Sequence, residues 1–435
     1  MRAIFRPGGS ARMRAAGVRV VMIGLVIGGV AALPEAILAQ HLLVPMDRAQ
    51  TNHLKAYGLT FDVLRAEEDA EWLLNYRGGS FLLPDRERVR ANAALRGVRV
   101  EPLSASALAQ LRARLEEGNM EAVPLEKAPT IAVYTPPNAT PWDDAVTMAL
   151  EYAEIPYETI WDREVLGDEL ATYDWVHLHH EDFTGQFSKF YLTYSGADWL
   201  REEVARNTEM AESLGFTTVP EMKKAVARRI RSYVGEGGFL FAMCSATETL
   251  ELALAAGPVD IAASFADGTP PDPQANQRID WAGSMAFEGA EVQIGPTVNA
   301  FSDIDVHQVN TPWRRELGVF TLFEFSAEFD PVPAMLTQNH EDVIEDFYGL
   351  TTAFREDLLK PGTVVLGREG SWAKYIHGAW GEGTFTYFGG HDPEDPEHQI
   401  GDPPTDLALH PNSPGYRLIL NNVLFPAAKK KKLKT

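Results

Sequence analysis

From residue 130 onward, short β-branched and aliphatic runs alternate with amphipathic stretches, and this alternation constrains the fold more than any other feature of the chain. Residues 130–134 read as a strand, a turn around Pro136, Pro137 and Pro141 leads into a helix over 143–153, and 157–161 and 174–179 read as further strands. A long helix over 221–234 ends in Gly235, Gly237 and Gly238, the usual carboxyl-terminal punctuation, and a strand at 239–243 and a helix at 247–256 follow. Strands joined through helices run parallel and need cover on both faces. The expected class is α/β: an open, mostly parallel sheet flanked by helices, with a small amino-terminal α+β lobe.

That lobe is expected over residues 40–127. Strand signals fall at 61–64 and 97–101, Leu108, Leu111 and Leu115 give helical spacing over 104–117, and Arg77, Gly78, Gly79 and Ser80 form a turn. The segment is too interrupted to hold a large core alone, so it should pack on the remainder. Beyond residue 257 the pattern loosens: Pro270, Pro271 and Pro273 mark a surface loop, and 331–336 and 363–366 are strand candidates. Residues 372–380 and 383–389 flank Gly381-Glu382 as a hairpin. The main domain is expected over 128–428, with no internal repeat.

The first 20 residues carry Arg2, Arg6, Arg12, Arg14 and Arg19 and no acid, and an apolar run over 20–33 follows. This is the pattern of a secretory signal peptide (1–39) cleaved after Ala39. The run falls short of the about 20 residues a bilayer span needs, and an uncleaved anchor is the alternative. The mature protein is expected to be exported, periplasmic or extracellular, with no membrane span. There are 39 Lys and Arg against 61 Asp and Glu, a net charge of −22, and losing five Arg and Glu35, a net +4, takes it to −26. Such an acid excess excludes nucleic acid as the main partner, because phosphate binding rests on Lys and Arg. Lys429, Lys430, Lys431, Lys432 and Lys434 form a short basic tail, read as a solvated extension.

The lone cysteine, Cys244, excludes a disulfide framework and a multi-thiolate zinc site. It lies where the apolar run from Phe239 to Met243 passes straight into a helical stretch. A nucleophile elbow needs that junction, with small residues two before and two after the nucleophile; here they are Ala242 and Ala246. A thiol at a helix amino terminus is biased toward thiolate, and the amides of Ser245 and Ala246 are placed to hold an oxyanion. The alternative is a small buried hydrophobe. His391, at the end of the last strand, is the candidate base, with Glu394 or Asp392 to orient it. A second cluster, His177, His179, His180, Glu181 and Asp182, ends the strand beginning near residue 174. His179, His180 and Glu181 are read as pocket-lining; as a lesser alternative they are metal ligands, completed from distant segments by His340 or His391. No resident cofactor or metal is expected in the main reading. Trp142, Trp161, Trp199, Trp313, Trp372 and Trp380 are candidates for stacking on sugar rings.

The elbow at Cys244 and the strand leading to His391 and Glu394 resemble the class I glutamine amidotransferase-like (flavodoxin-like) fold, whose triad runs Cys, His, Glu. Gly390-His391-Asp392-Pro393-Glu394 is closest to the trehalose-utilisation (ThuA-like) branch. The whole chain also resembles exported bacterial proteins often labelled asparagine synthetase B, through residues 50–58, 177–185, 412–416 and the Lys tail. The resemblance implies an amidotransferase-like hydrolase of an amide or ester, with Cys244, His391 and Glu394 catalytic and Ser245, Ala246, His179, His180 and Glu181 binding substrate. ATP-dependent asparagine synthesis is not expected, since the cysteine is internal and residues 195–199 hold only a fragment of a pyrophosphatase loop. Departures are Ser245 and Ala246 in place of Gly-Gly after the nucleophile, and Glu394 three residues after His391 rather than two. Non-catalytic binding of a carbohydrate, peptide or other small-molecule ligand on the same fold is the rival reading.

Overall fold

The amino-terminal lobe is an antiparallel sheet of β1 (His41–Val44), β2 (Ala70–Leu74), β3 (Ser80–Pro84), β4 (Glu101–Leu103) and β5 (Glu121–Leu125), ordered β4-β1-β3-β2-β5. The computed structural model describes residues 41–137, 144–189, 191–295, 301–306, 318–345, 347–396 and 402–428; the expected signal peptide, the Lys tail, Pro141, Trp142 and Trp313 lie outside these. Residues 61–64, expected as a strand, are the last turn of the helix His53–Arg65, which Asn52 caps by accepting the Lys55 N–H. Leu54, Tyr57, Phe61 and Leu64 are all buried and recur at helical spacing, a period that a four-residue window cannot reveal. The expected helix at 104–117 forms as Ala105–Glu117, capped by Ser104.

The second sheet holds β6 (Ile131–Tyr134), β7 (Glu158–Ile160), β8 (Trp175–Leu178), β9 (Phe239–Met243), β10 (Val319–Leu322), β11 (Val343–Glu345), β12 (Val364–Glu369), β13 (Trp372–Trp380) and β14 (Gly383–Phe388). Its order is β11-β10-β12-β13-β14-β9-β8-β6-β7. The pairings from β14 through β9, β8 and β6 to β7 are parallel. Those from β11 through β10, β12 and β13 to β14 are antiparallel. The expected "mostly parallel" sheet is therefore corrected to a mixed one, parallel over half its pairings and joined to a wholly antiparallel lobe. Crossover helices separate β6 from β8 and β8 from β9, whereas tight connections join β12 to β13 and β13 to β14 and can only reverse the chain. Residues 331–336 form a short helix, not a strand: proline at the first helical positions costs no hydrogen bond, because those N–H groups have no partner in the helix.

The helices Val219–Gly235 and Cys244–Ala256 cover one face of the parallel half, and Ala145–Ala153 and Pro414–Leu424 contribute to the apolar cluster on the other. That second cluster is continuous with the lobe, running from Leu42 and Trp72 to Trp175 and Leu424. The helix His53–Arg65 packs on Ala145–Ala153 so closely that a Cβ on Gly58 would lie 1.8 Å from the Ala153 carbonyl oxygen. Arg417, fully buried, donates to the Tyr57 hydroxyl (3.1 Å), the Met46 carbonyl (2.8 Å) and the Gly78 carbonyl, tying the lobe to the last helix. No helix among the described residues is long and apolar enough to cross a membrane.

Candidate active site

Parallel strands deliver their carboxyl ends to one edge, where open α/β sheets gather ligands. β8 runs out into His179 and His180, β9 into Cys244, and β14 into Gly389, Gly390 and His391. Because β8, β9 and β14 are adjacent, these side chains share that edge.

Cys244 has φ +49°, a left-handed conformation at the strand-to-helix junction that costs a non-glycine residue about 1–3 kcal/mol. The turn is as sharp as an elbow requires, yet the thiol is fully buried. The Leu350 N–H points at Sγ (3.2 Å), and a Cβ on Gly349 would stand 2.9 Å from Sγ and 3.1 Å from the His391 backbone nitrogen. Burial pushes the thiol pKa up, and the backbone N–H groups of Leu350, Thr351 and Ser245 only partly offset this. Lys189 pins the covering segment: its ammonium lies 2.5 Å from Glu248 and 3.2 Å from Asp305, and donates to the Leu350 carbonyl at 2.8 Å.

The elbow amides are engaged by the protein itself. The Ala246 N–H donates to the His179 carbonyl (3.0 Å), and the Ser245 backbone N–H lowers the pKa of the thiol beside it. The Ser245 hydroxyl donates to the His180 carbonyl (2.7 Å) and the Thr249 hydroxyl to the Glu181 carbonyl (2.9 Å), so the start of this helix fastens the segment 179–181. Glu181 uses its carboxylate to accept the His179 N–H (3.0 Å). Half-buried Asp182 accepts N–H groups of Thr184, Gln186 and Ser188 and shapes the following loop. Glu394 pairs with His410 (2.9 Å), while Asp392 accepts from the hydroxyls of Tyr416 (2.8 Å) and Thr405 (2.6 Å).

His391 faces another imidazole. Its ring centroid is 4.5 Å from that of His179, nearly perpendicular, and 6.0 Å from that of His180. One nitrogen from each of His179, His180 and His391 lies within 4.8 Å of the others. His179 is fully buried and the other two are half-buried. Behind them sits Asp144, the N-cap of the helix Ala145–Ala153, which accepts the N–H groups of Val146 (2.7 Å) and Thr147 (3.1 Å). The same oxygen takes His179 Nδ1 at 3.2 Å and lies 3.5 Å from His177 Nε2. Burial alone would raise the Asp144 carboxyl; the two imidazoles outweigh it and hold the group well below the usual carboxylate range. His177 turns its Nδ1 to the Phe241 carbonyl at 3.0 Å.

The expected set of site residues needs revision here. His340 lies at the lobe junction, stacked on His53 at 4.0 Å and 3.2 Å from Arg417, not with the cluster. Asp144 went unread, although an aspartate opening the helix after β6 belongs at the same carboxyl edge. Of the tryptophans proposed to stack on sugar, Trp161 is buried and Trp380 takes the cations of Arg231 and Lys360. A groove of 1160 Å³ follows the opposite edge, by Gly238 and Thr384, and its walls carry no histidine or cysteine.

No family model matches the chain, and a comparison with curated proteins finds no match. Among solved structures it is similar to the cytoplasmic protein STM3548 from Salmonella typhimurium, at 10% identity over 69% of this chain and 100% of that one, TM-score 0.34. The cytoplasmic protein STM1381 from Salmonella typhimurium LT2 gives 11%, 69%, 100% and 0.34. A beta-galactosidase from Bacillus circulans sp. alkalophilus gives 9%, 61%, 29% and 0.25. Scores at this level carry no argument about function.

Proposed function

We propose that the protein is an exported hydrolase of an amide or ester bond whose reacting centre is the imidazole cluster His179, His180 and His391. The observation that carries this is Asp144 holding His179 against two half-exposed imidazoles at the carboxyl edge of parallel strands. In this reading His391 takes a proton from water, and the water oxygen adds to the substrate carbonyl carbon. The bond to the leaving nitrogen or oxygen then breaks as that atom recovers the proton. The adjacent, parallel β9 and β14 support the amidotransferase-like, ThuA-like resemblance as the fold of this half. Export rests on the Arg-rich, apolar amino-terminal segment.

A second reading, nucleophilic Cys244, is favoured by its φ of +49° and disfavoured by the closed segment above it. Turnover of an ester and amide panel by wild type, His391→Gln and Cys244→Ala separates the two. The expected result is a loss of about 10²–10⁴ in kcat/KM for His391→Gln, the range of general-base catalysis, with Cys244→Ala still active. Abolition by Cys244→Ala alone would transfer the chemistry to the thiol. Saturable sugar or peptide binding without turnover would favour the binding module.

A further inference from the structure

The His179 Nε2 is buried and has no hydrogen-bond partner among the described residues. A carboxylate can only accept, so the 3.2 Å contact with Asp144 puts the His179 proton on Nδ1 and leaves Nε2 a bare lone pair. A buried polar atom left in this state is costly unless something binds it. Water does not reach it, so it cannot serve as a base for a substrate, yet its ring stands between two other imidazoles that solvent does reach.

We infer that His179, His180 and His391 form a binding site for a single divalent transition-metal ion of the zinc class, with Asp144 as the positioning residue behind His179. Three nitrogens in a tetrahedral shell of about 2.0–2.1 Å radius stand roughly 3.3 Å apart, so the observed limit of 4.8 Å closes through small rotations of the two half-exposed rings. The donor set is three imidazoles with no thiolate, which suits zinc, and the half-exposed side leaves a fourth position for water, as catalytic sites do. Asp144 on Nδ1 supplies the carboxylate–histidine contact that fixes a ligand's tautomer and orientation. The helix Cys244–Ala256 grips the carbonyls of His179, His180 and Glu181, so two of the three ligands sit on a braced backbone. The neighbouring trio Asp144, His177 and His179 also brings its ligand atoms within 4.8 Å, but all three side chains are buried, so no coordination position is open there.

This inference deepens the hydrolase reading by naming its cofactor, while the binding it claims stands on geometry alone. With a metal held there His391 would serve as a ligand instead of a base: the ion would lower the pKa of its water toward 7, the proton would pass to solvent, and the leaving atom would take one back from solvent as the same carbonyl bonds form and break. The full-length protein, stripped by a chelator and dialysed, is titrated with Co²⁺ alone. The expected result is one equivalent bound, with the intense visible bands of tetrahedral cobalt, displaced by Zn²⁺. His180→Ala and His391→Ala, at half-exposed positions, should weaken binding at least about 100-fold, and Asp144→Asn, which keeps the helix cap, about 10–100-fold. Cys244→Ala should bind as wild type does. Absence of stoichiometric binding, or wild-type binding by His180→Ala and His391→Ala, overturns the inference. Undiminished hydrolysis by the stripped protein overturns the cofactor and spares the hydrolase reading; stoichiometric cobalt with no hydrolysis does the reverse.

Discussion

Replacing Lys189 by Met removes the cation that holds the lid over the elbow. The Lys189 side chain is 1% exposed, and those of Glu248 and Asp305 are 0% and 2% exposed. Without the ammonium, two carboxylates remain in the interior, Glu248 supported among the described residues by the hydroxyls of Ser302 (2.6 Å) and Thr351 (3.0 Å). Breaking a buried pair by deleting one member costs about 3–5 kcal/mol, a large share of the about 5–15 kcal/mol of a typical fold. Urea unfolding at pH 7, followed by tryptophan fluorescence, should show that loss. The segment Gly349–Thr351 also loses its anchor, so Cys244 should alkylate faster with iodoacetamide than the closed, proton-retaining thiol of the wild type. A loss under about 1 kcal/mol with unchanged thiol reactivity would refute the latch, since it would place the pair in the range of exposed ion pairs.

Gly349→Ala should destabilise by about 1–3 kcal/mol, the usual cost of overpacking, because its new methyl meets Sγ at 2.9 Å and the Gly390 carbonyl carbon at 3.0 Å. Adding Cys244→Ala should recover part of that in urea melts, whereas additivity within about 0.5 kcal/mol would deny the contact. Burial chiefly lowers His53 and His377 to about 4 and His340 to about 3. Unfolded imidazoles near about 6.5 therefore take protons first, and these histidines cost stability as pH falls from 6.5 toward 4, by up to about 1.4 kcal/mol per pH unit each. His340→Asn should flatten the pH dependence of the urea midpoint in that window; an unaltered slope would contradict the assignment.

Much of the parallel half was legible because its central strands are buried apolar runs between helical stretches, as at Ile131–Tyr134 and Phe239–Met243. The small residues around Cys244 likewise announced the bend, and its φ of +49° realises it. What lay beyond reach is long-range. The Leu350 amide that meets the thiol is 106 residues downstream, so no local pattern could tell a closed elbow from an open one. The antiparallel half was obscured because Val319–Leu322 and the edge strand Val343–Glu345 are short elements with alternate residues exposed. The grouping of His391 with His179 and His180 depends on which side chains the strand ends turn toward one another, a matter of rotamers that residue types do not encode. Asp144 was the readable omission, since N-cap chemistry and the carboxyl-edge rule together assign it to the site.

The tautomer of His179 is the most direct test of the site. Long-range proton–nitrogen correlation on protein labelled with ¹⁵N only at histidine, assigned with His179→Gln, reads the proton position on each ring. In chelator-stripped protein at pH 7 the expected result is a His179 ring protonated at Nδ1 alone, with a bare Nε2 that shifts when one equivalent of Zn²⁺ is added. A proton on Nε2, or a ring indifferent to the ion, would contradict the arrangement of Asp144, His179, His180 and His391 on which the proposed chemistry stands.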